Sequence, residues 1–257
     1  MVGRTNTFEL PFEVSMVDPQ PSVFPFGIRI DEPVATITDI LVSVVCLYAF
    51  VQMRRKGLDA WSQVHFRRYF LLVSIATALG GVIGHGFLYQ FSFAWKLPGW
   101  VVGIVSVALI ERAAISHAQT LIKPKIGNFF LVFNIIEMIV ILAITMITLD
   151  FKWVEYHNGY GLIVNVAGFH GYTYYRTRDK GSLIILGAVG ITTIASIVFT
   201  NELSMHTWFN YIDTSHVLLA VAAYVMYLGA IRLNTRTELS APAEPVIPAK
   251  RRSAVER

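Results

Sequence analysis

Apolar residues gather in blocks along this chain, separated by short polar or Gly/Pro-rich segments. The blocks cover about residues 34–53, 66–91, 99–117, 128–149, 154–175, 183–200 and 213–232. A helix needs about 20 mostly apolar residues to cross the hydrocarbon core of a bilayer, and each block is near that length. The pattern predicts an all-α polytopic membrane protein, a bundle of seven transmembrane helices. Three regions follow: an N-terminal tail over 1–32, a membrane domain over 33–233 and a disordered tail over 234–257. The first tail mixes Pro19, Pro21 and Pro25 with Phe8, Phe12, Phe24 and Phe26. The last is rich in Ala, Pro, Glu and Arg, a composition that builds no packed core.

Composition agrees with the pattern. Hydrophobic residues make up 54% of the chain and charged residues 15%, against about 25% charged in a soluble domain. The single cysteine, Cys46, rules out an intrachain disulfide framework. The expected environment is a plasma or inner membrane. The expected partners are membrane lipid and, for an enzyme, a lipid substrate, with no nucleic acid; the sequence does not set the oligomeric state.

Charge placement orients the bundle. One side holds Arg54, Arg55, Lys56, Arg67, Arg68, Lys123, Lys125, Arg176, Arg178, Lys180 and the six basic residues of the C-terminal region. The other holds Arg4, Arg29, Lys96 and Lys152. Basic residues favour the cytoplasmic side, so the C-terminus is expected there and the N-terminus outside. An odd number of crossings requires the same opposition.

Polar side chains inside the blocks carry the candidate chemistry, because an ionisable group in a bilayer is costly and usually functional. On the first block, Glu32, Thr36, Asp39 and Ser43 recur at helical spacing and share a face. The second carries His85 within the run Gly80-Gly81-Val82-Ile83-Gly84-His85-Gly86, and small residues leave room beside it. The seventh opens with Asp213 and His216, three apart. Asp213 suits either a helix N-cap or a carboxylate that orients the histidine. The fourth and fifth blocks add Asn134, Glu137, Glu155, Asn158 and Asn165, and the third adds Glu111 and Arg112, expected to be structural. With alternating helix directions, Glu32, Asp39, His85, Glu155, Asn158, Glu202, His206, Asp213 and His216 all fall toward the external leaflet.

Imidazole and carboxylate ligands suit zinc, whose catalytic sites keep one position open for water. His85, His216 and either Asp213 or Asp39 could supply three ligands, with the remaining carboxylate as general base. The expected catalytic acids are therefore Asp39 and Asp213, and the expected metal ligands His85, His216 and Asp213. Such a site between helices suits a lipid amide or ester entering from the membrane.

The acid at the first block, the histidine on the second and the histidine on the seventh resemble the CREST superfamily of alkaline ceramidases, progestin/adipoQ receptors and haemolysin-III-like proteins. That resemblance implies a seven-helix fold and a zinc-dependent lipid hydrolase. Gly81 stands where the family pattern has serine. Ile212 and Ala220 stand four residues from His216, so the His-x-x-x-His pair of the last helix is absent. A non-enzymatic sensor, binder or accessory subunit is the alternative. Haem ligation by His85 and His216, and an ion carrier using Asp39, Glu137 and Asn165, are further readings.

Overall fold

The computed structural model describes residues 20–235, and its long elements are all helices. The expected N-terminal tail is thus described only from Gln20 onward. The expected disordered tail lies outside the described residues beyond Thr235. The helices are α1 (Pro33–Arg55), α2 (Trp61–Leu79), α3 (Leu97–Ala118), α4 (Pro124–Thr148), α5 (Lys152–Gly159), α6 (Gly168–Thr177), α7 (Lys180–Thr200) and α8 (Tyr211–Ala230). Proline opens α1, α3 and α4, where its missing N–H has no helical partner to lose. Asn210 caps α8 in a capping box: its side chain accepts from the backbone N–H of Asp213, whose own side chain accepts from Asn210 N–H.

Two π-helical segments interrupt the regular spiral. Gly80–Gly86 continues α2, and Tyr160–Ala167 joins α5 to α6. Residues 152–177 thus form one composite helix where the sequence suggests a fifth crossing. Among the described residues, six other helices are long and apolar enough to cross a membrane: α1, α2 with its π-helical segment, Phe93–Ala118, α4, α7 and α8. The second block is shifted from its expected bounds. Helix α2 begins earlier because Ser62 and Gln63 are buried, Gln63 Nε2 donating to the Ala230 carbonyl at 3.4 Å. Its π-helical segment ends at Gly86, short of Phe91.

Helix α1 packs between α2 and α8, α2 runs along α3, and α7 runs along α8. Helix α3 also meets α4 and the composite helix, and α6 meets α7, which closes a ring. Cys46, Met53, Phe66, Phe70, Ile110, Ile185 and Met226 fill the interior. Helix α4 lies outermost on α3 and α5, and Phe129, Val132, Ile136, Ile139 and Ile147 on it are exposed. Meanwhile Asp39, Glu111, Asn134, His157, Asn165 and Asp213 are buried. Apolar side chains outward and polar ones inward reverse the order of a water-soluble bundle and match an apolar solvent.

Glycine sets the closest helix approach. A Cβ on Gly181 of α7 would sit 2.5 Å from Leu233 N, and one on Gly229 of α8 would sit 2.6 Å from Ile185 Cγ1. Small residues at such crossings let backbones pack directly. A Cβ on Gly187 would meet nothing within 4 Å. At the same end of the bundle, Asp179 ties together α3, α7 and the chain beyond α8. Its carboxylate accepts from Ser182 N (2.8 Å), Ser182 Oγ (2.7 Å) and Asn234 N (3.1 Å), and lies 3.4 Å from His117 Nε2. Burial by itself raises the Asp179 pKa. The His117 and Ser182 contacts outweigh it and hold the carboxyl well below the usual carboxylate range.

Two outcomes follow. Gly181→Ala should destabilise the protein by about 1–3 kcal/mol through overpacking, whereas Gly187→Ala should be neutral or slightly stabilising; thermal unfolding in detergent compares them. Asp179→Asn should lower the melting temperature at neutral pH. A carboxyl whose folded-state pKa is depressed contributes its full stability above the unfolded value and loses it as the pH falls. The gap between wild type and Asp179→Asn should therefore narrow as pH drops below about 3.9. A gap constant with pH would contradict this role.

Candidate functional site

The N-terminal parts of α1 and α8 and the π-helical end of α2 bring three side chains together. Asp39, His85 and His216 each direct one ligand-type atom into a common space, all within 4.8 Å of one another. Asp39 lies six residues into α1 and is buried, about 9 Å along the axis from Pro33. Its Oδ1 is 3.6 Å from His216 Nε2 and its Oδ2 is 4.0 Å from His85 Nε2. The two rings stand nearly edge to face, with centroids 5.8 Å apart.

The room for Asp39 comes from the glycine run. A Cβ on Gly80 would fall 2.7 Å from Asp39 Oδ2, and one on Gly81 would fall 3.1 Å from Asp39 Cβ and 3.0 Å from the Thr36 carbonyl. A serine at position 81 would press on the α1 backbone, which gives Gly81 a physical reason. The π-helical turn at Gly80–Gly86 widens the helix just before it ends and carries His85. Such insertions are frequent at functional sites.

Each histidine is held from behind. His85 Nδ1 lies 2.5 Å from Glu32 Oε2. Burial pushes the Glu32 pKa up, but the His85 hydrogen bond and charge outweigh it and keep the carboxyl below its ordinary value. An ionised carboxylate only accepts, so His85 Nδ1 carries the proton. Glu32 itself is in the left-handed region (φ 41°), a conformation costly for a side chain of this size. His216 Nδ1 lies 3.1 Å from Thr38 Oγ1. The single Thr38 hydroxyl proton is directed to a helix carbonyl, Val34 at 2.9 Å or Ala35 at 3.1 Å. Thr38 Oγ1 therefore accepts from His216 Nδ1–H.

Both rings thus turn Nε2 toward Asp39. Neither contact is short enough to be a hydrogen bond. With both Nε2 atoms unprotonated, as metal ligation requires, they and the Asp39 carboxylate present three ligand-type atoms to one space. Ligands of a tetrahedral zinc, at about 2.0–2.1 Å from the metal, stand about 3.3 Å apart. The Asp39–His216 separation of 3.6 Å is close to that spacing and the Asp39–His85 separation of 4.0 Å is wider, so the three side chains would have to draw together around an ion. A cavity of about 500 Å³ opens beside His85 and Glu32 and is also lined by Gln20, Arg29, Tyr89 and Lys96.

Of the residues expected from the sequence, Asp39, His85 and His216 meet. Asp213 is placed elsewhere: it is fully buried, and its Oδ2 accepts from Asn210 N at 2.7 Å and Gln20 Nε2 at 2.5 Å. It serves the start of α8 rather than the histidines, and the third member of the group is Asp39. Glu202 and His206 lie exposed in the turn before α8. Sequence reasoning missed Thr38 as the partner of His216. The signal was its position beside Asp39, one residue off the stripe through Thr36. Glu111, Glu137 and His157 form a second group within 4.8 Å, with Asn134 and Asn165 donating to Glu111. In that group His157 has both ring nitrogens engaged, Nδ1 by Glu137 and Nε2 by the Ile104 carbonyl.

No curated protein matches the chain. Residues 34–235, which run from the start of α1 past the end of α8, match the model of a family of unknown function, and the chain belongs to that family, DUF6962.

Proposed function

We propose that this protein is a seven-helix integral membrane protein whose Asp39, His85 and His216 bind a divalent metal, zinc by preference, for hydrolysis of a lipid amide or ester. The observation that carries the reading is the pair of outward nitrogens. With Nδ1 of each ring fixed by Glu32 or Thr38, both Nε2 atoms turn toward the Asp39 carboxylate. Partners on the far ring nitrogen are the usual support of metal-ligating histidines. Two imidazoles and one carboxylate suit zinc, and three protein ligands leave a position open. A metal there supplies Lewis acidity and an activated water near neutral pH. The protein's share is to hold the three ligands, keep Asp39 in its glycine cradle and admit substrate through the cavity at His85.

The composite helix 152–177 serves as the remaining crossing. At 1.5 Å per residue its 26 residues measure about 39 Å, enough for a hydrocarbon core of about 30 Å. With basic residues on the cytoplasmic side, the metal centre lies toward the external leaflet. In the CREST resemblance the histidine missing from the last helix counts against zinc catalysis, and this reading puts Asp39 in its place. One observation favours the non-enzymatic alternative, a sensor or binder on the same scaffold. Of the nearby carboxylates, Glu32 is engaged by His85 and Asp213 is held through Oδ2 by Asn210 and Gln20, its other oxygen being buried without a partner.

Purified protein should contain about one zinc per chain, and His85→Ala, His216→Ala or Asp39→Ala should each remove it. Glu32→Gln and Thr38→Val should retain the fold and weaken metal affinity about 10–100-fold. Gly80→Ala should weaken it as well by displacing Asp39. Protein that is metal-free, and whose melting temperature ignores both zinc and a chelator, would overturn the metal centre. Metal-loaded protein that leaves fluorogenic lipid amides and esters intact would instead support the sensor reading.

A further inference from the structure

The second ionisable group lies on α3, α4 and α5, apart from the proposed metal ligands. Glu111 and His157 in it are fully buried. His157 Nε2 lies 3.0 Å from the Ile104 carbonyl. A carbonyl only accepts, so Nε2 bears a proton. Nδ1 lies 2.8 Å from Glu137 Oε1, a hydrogen-bond distance, so another proton lies between those two atoms. Whichever atom owns it, the pair is neutral overall and His157 has no lone pair left for a metal. The Asp39 group differs, since its atoms face one another at 3.6 and 4.0 Å with no hydrogen bond between them.

Glu111 stands beside this pair. Its Oε2 accepts from Asn134 Nδ2 at 3.0 Å and Asn165 Nδ2 at 2.6 Å. Its Oε1 has no donor and lies against Gly161, where a Cβ would come within 2.5 Å of it. Glu137 Oε2 and the side-chain oxygens of Asn134, Asn158 and Asn165 are likewise buried without donors. Every one of these unpartnered atoms is an acceptor. The other titratable group facing them is Tyr160, on the π-helical segment. Arg112, next to Glu111, is turned away and donates to the Leu131 carbonyl at 3.1 Å. A group of buried acceptors that already holds one shared proton is built to take another. Ionisable residues inside membrane helices mark such proton sites.

We infer that Glu111, Glu137 and His157 form an internal proton-exchange centre, in which the Glu137–His157 pair keeps one proton and Glu111 takes up and releases a second. The proton comes from water and returns to it, and only O–H and N–H bonds change. Asn134 and Asn165 are positioning residues that hold the Glu111 carboxyl by one oxygen and leave the other for the proton.

Infrared spectroscopy of the full chain in lipid vesicles, titrated between about pH 5 and about pH 8, tests this. Wild type should show a protonated-carboxyl band that changes with pH. Glu111→Gln, isosteric and uncharged, should lose most of that change while keeping wild-type metal content. An unaltered titrating band in Glu111→Gln would overturn the inference. So would a fall in its metal content, which would put a metal among these residues. If Glu111→Gln does not fold, Glu137→Gln should keep a titrating carboxyl band, that of Glu111, and complete loss of the band would overturn the inference by assigning it to Glu137. Failure of the Asp39 metal centre would leave this result untouched, because neither variant alters a residue of that group.

Discussion

Inside a bundle with an apolar outer surface, a buried polar group has no bulk water to turn to and must find its partner on another helix. That constraint organises the interior of this protein. Ser43 of α1 bonds Ser74 of α2, Thr38 of α1 meets His216 of α8, and Asn134 of α4 donates to Glu111 of α3. His157 joins α5 to Glu137 of α4. Each pairing fixes the rotation and register of two helices, which apolar contacts with lipid-like surroundings do weakly. The polar side chains that make the sequence look functional are thus also the ones that specify its packing.

The two ionisable groups show how differently one set of residue types can be arranged. Around Asp39 the hydrogen bonds lie behind the histidines, and the inward atoms are left facing one another. Around Glu111 the hydrogen bonds run between the members of the group itself. The first arrangement is the one proposed to hold a metal, and the second the one proposed to exchange a proton. A π-helical segment stands at each, and in both the extra residue disturbs the regular spiral beside an acid. Glycine completes both sites, with Gly80 and Gly81 against Asp39 and Gly161 against Glu111. A side chain at any of these positions would fill the space the carboxylate uses.

Much of the fold was legible in the sequence. Apolar blocks located the six membrane-length helices, because burying or lipid-facing a helix requires about 20 apolar residues regardless of context. The fifth block was found as well, but its break into α5, a π-helical segment and α6 was not. Beside that break Asn165 and His157 reach partners on α3 and α4, which no local pattern records. In the candidate site, Asp39, His85 and His216 were visible as costly polar residues on helices. Asp213 looked equally suitable by spacing, and the capping box with Asn210 drew it away from His216.

The sequence by itself determined the helical class, the apolar solvent of the outer surface and the short list of side chains able to do chemistry. Hydrophobicity, helical period and charge are properties of neighbouring residues, so they can be read in one dimension. Only the tertiary structure decided which acids meet which histidines and which ring nitrogens are left facing inward. Those outcomes depend on helix rotation and on contacts near 3 Å between residues as far apart in the chain as Thr38 and His216, which lie 3.1 Å apart. A change in rotation by one residue, about 100° on a helix, would exchange Asp39 for its neighbours and dissolve the site.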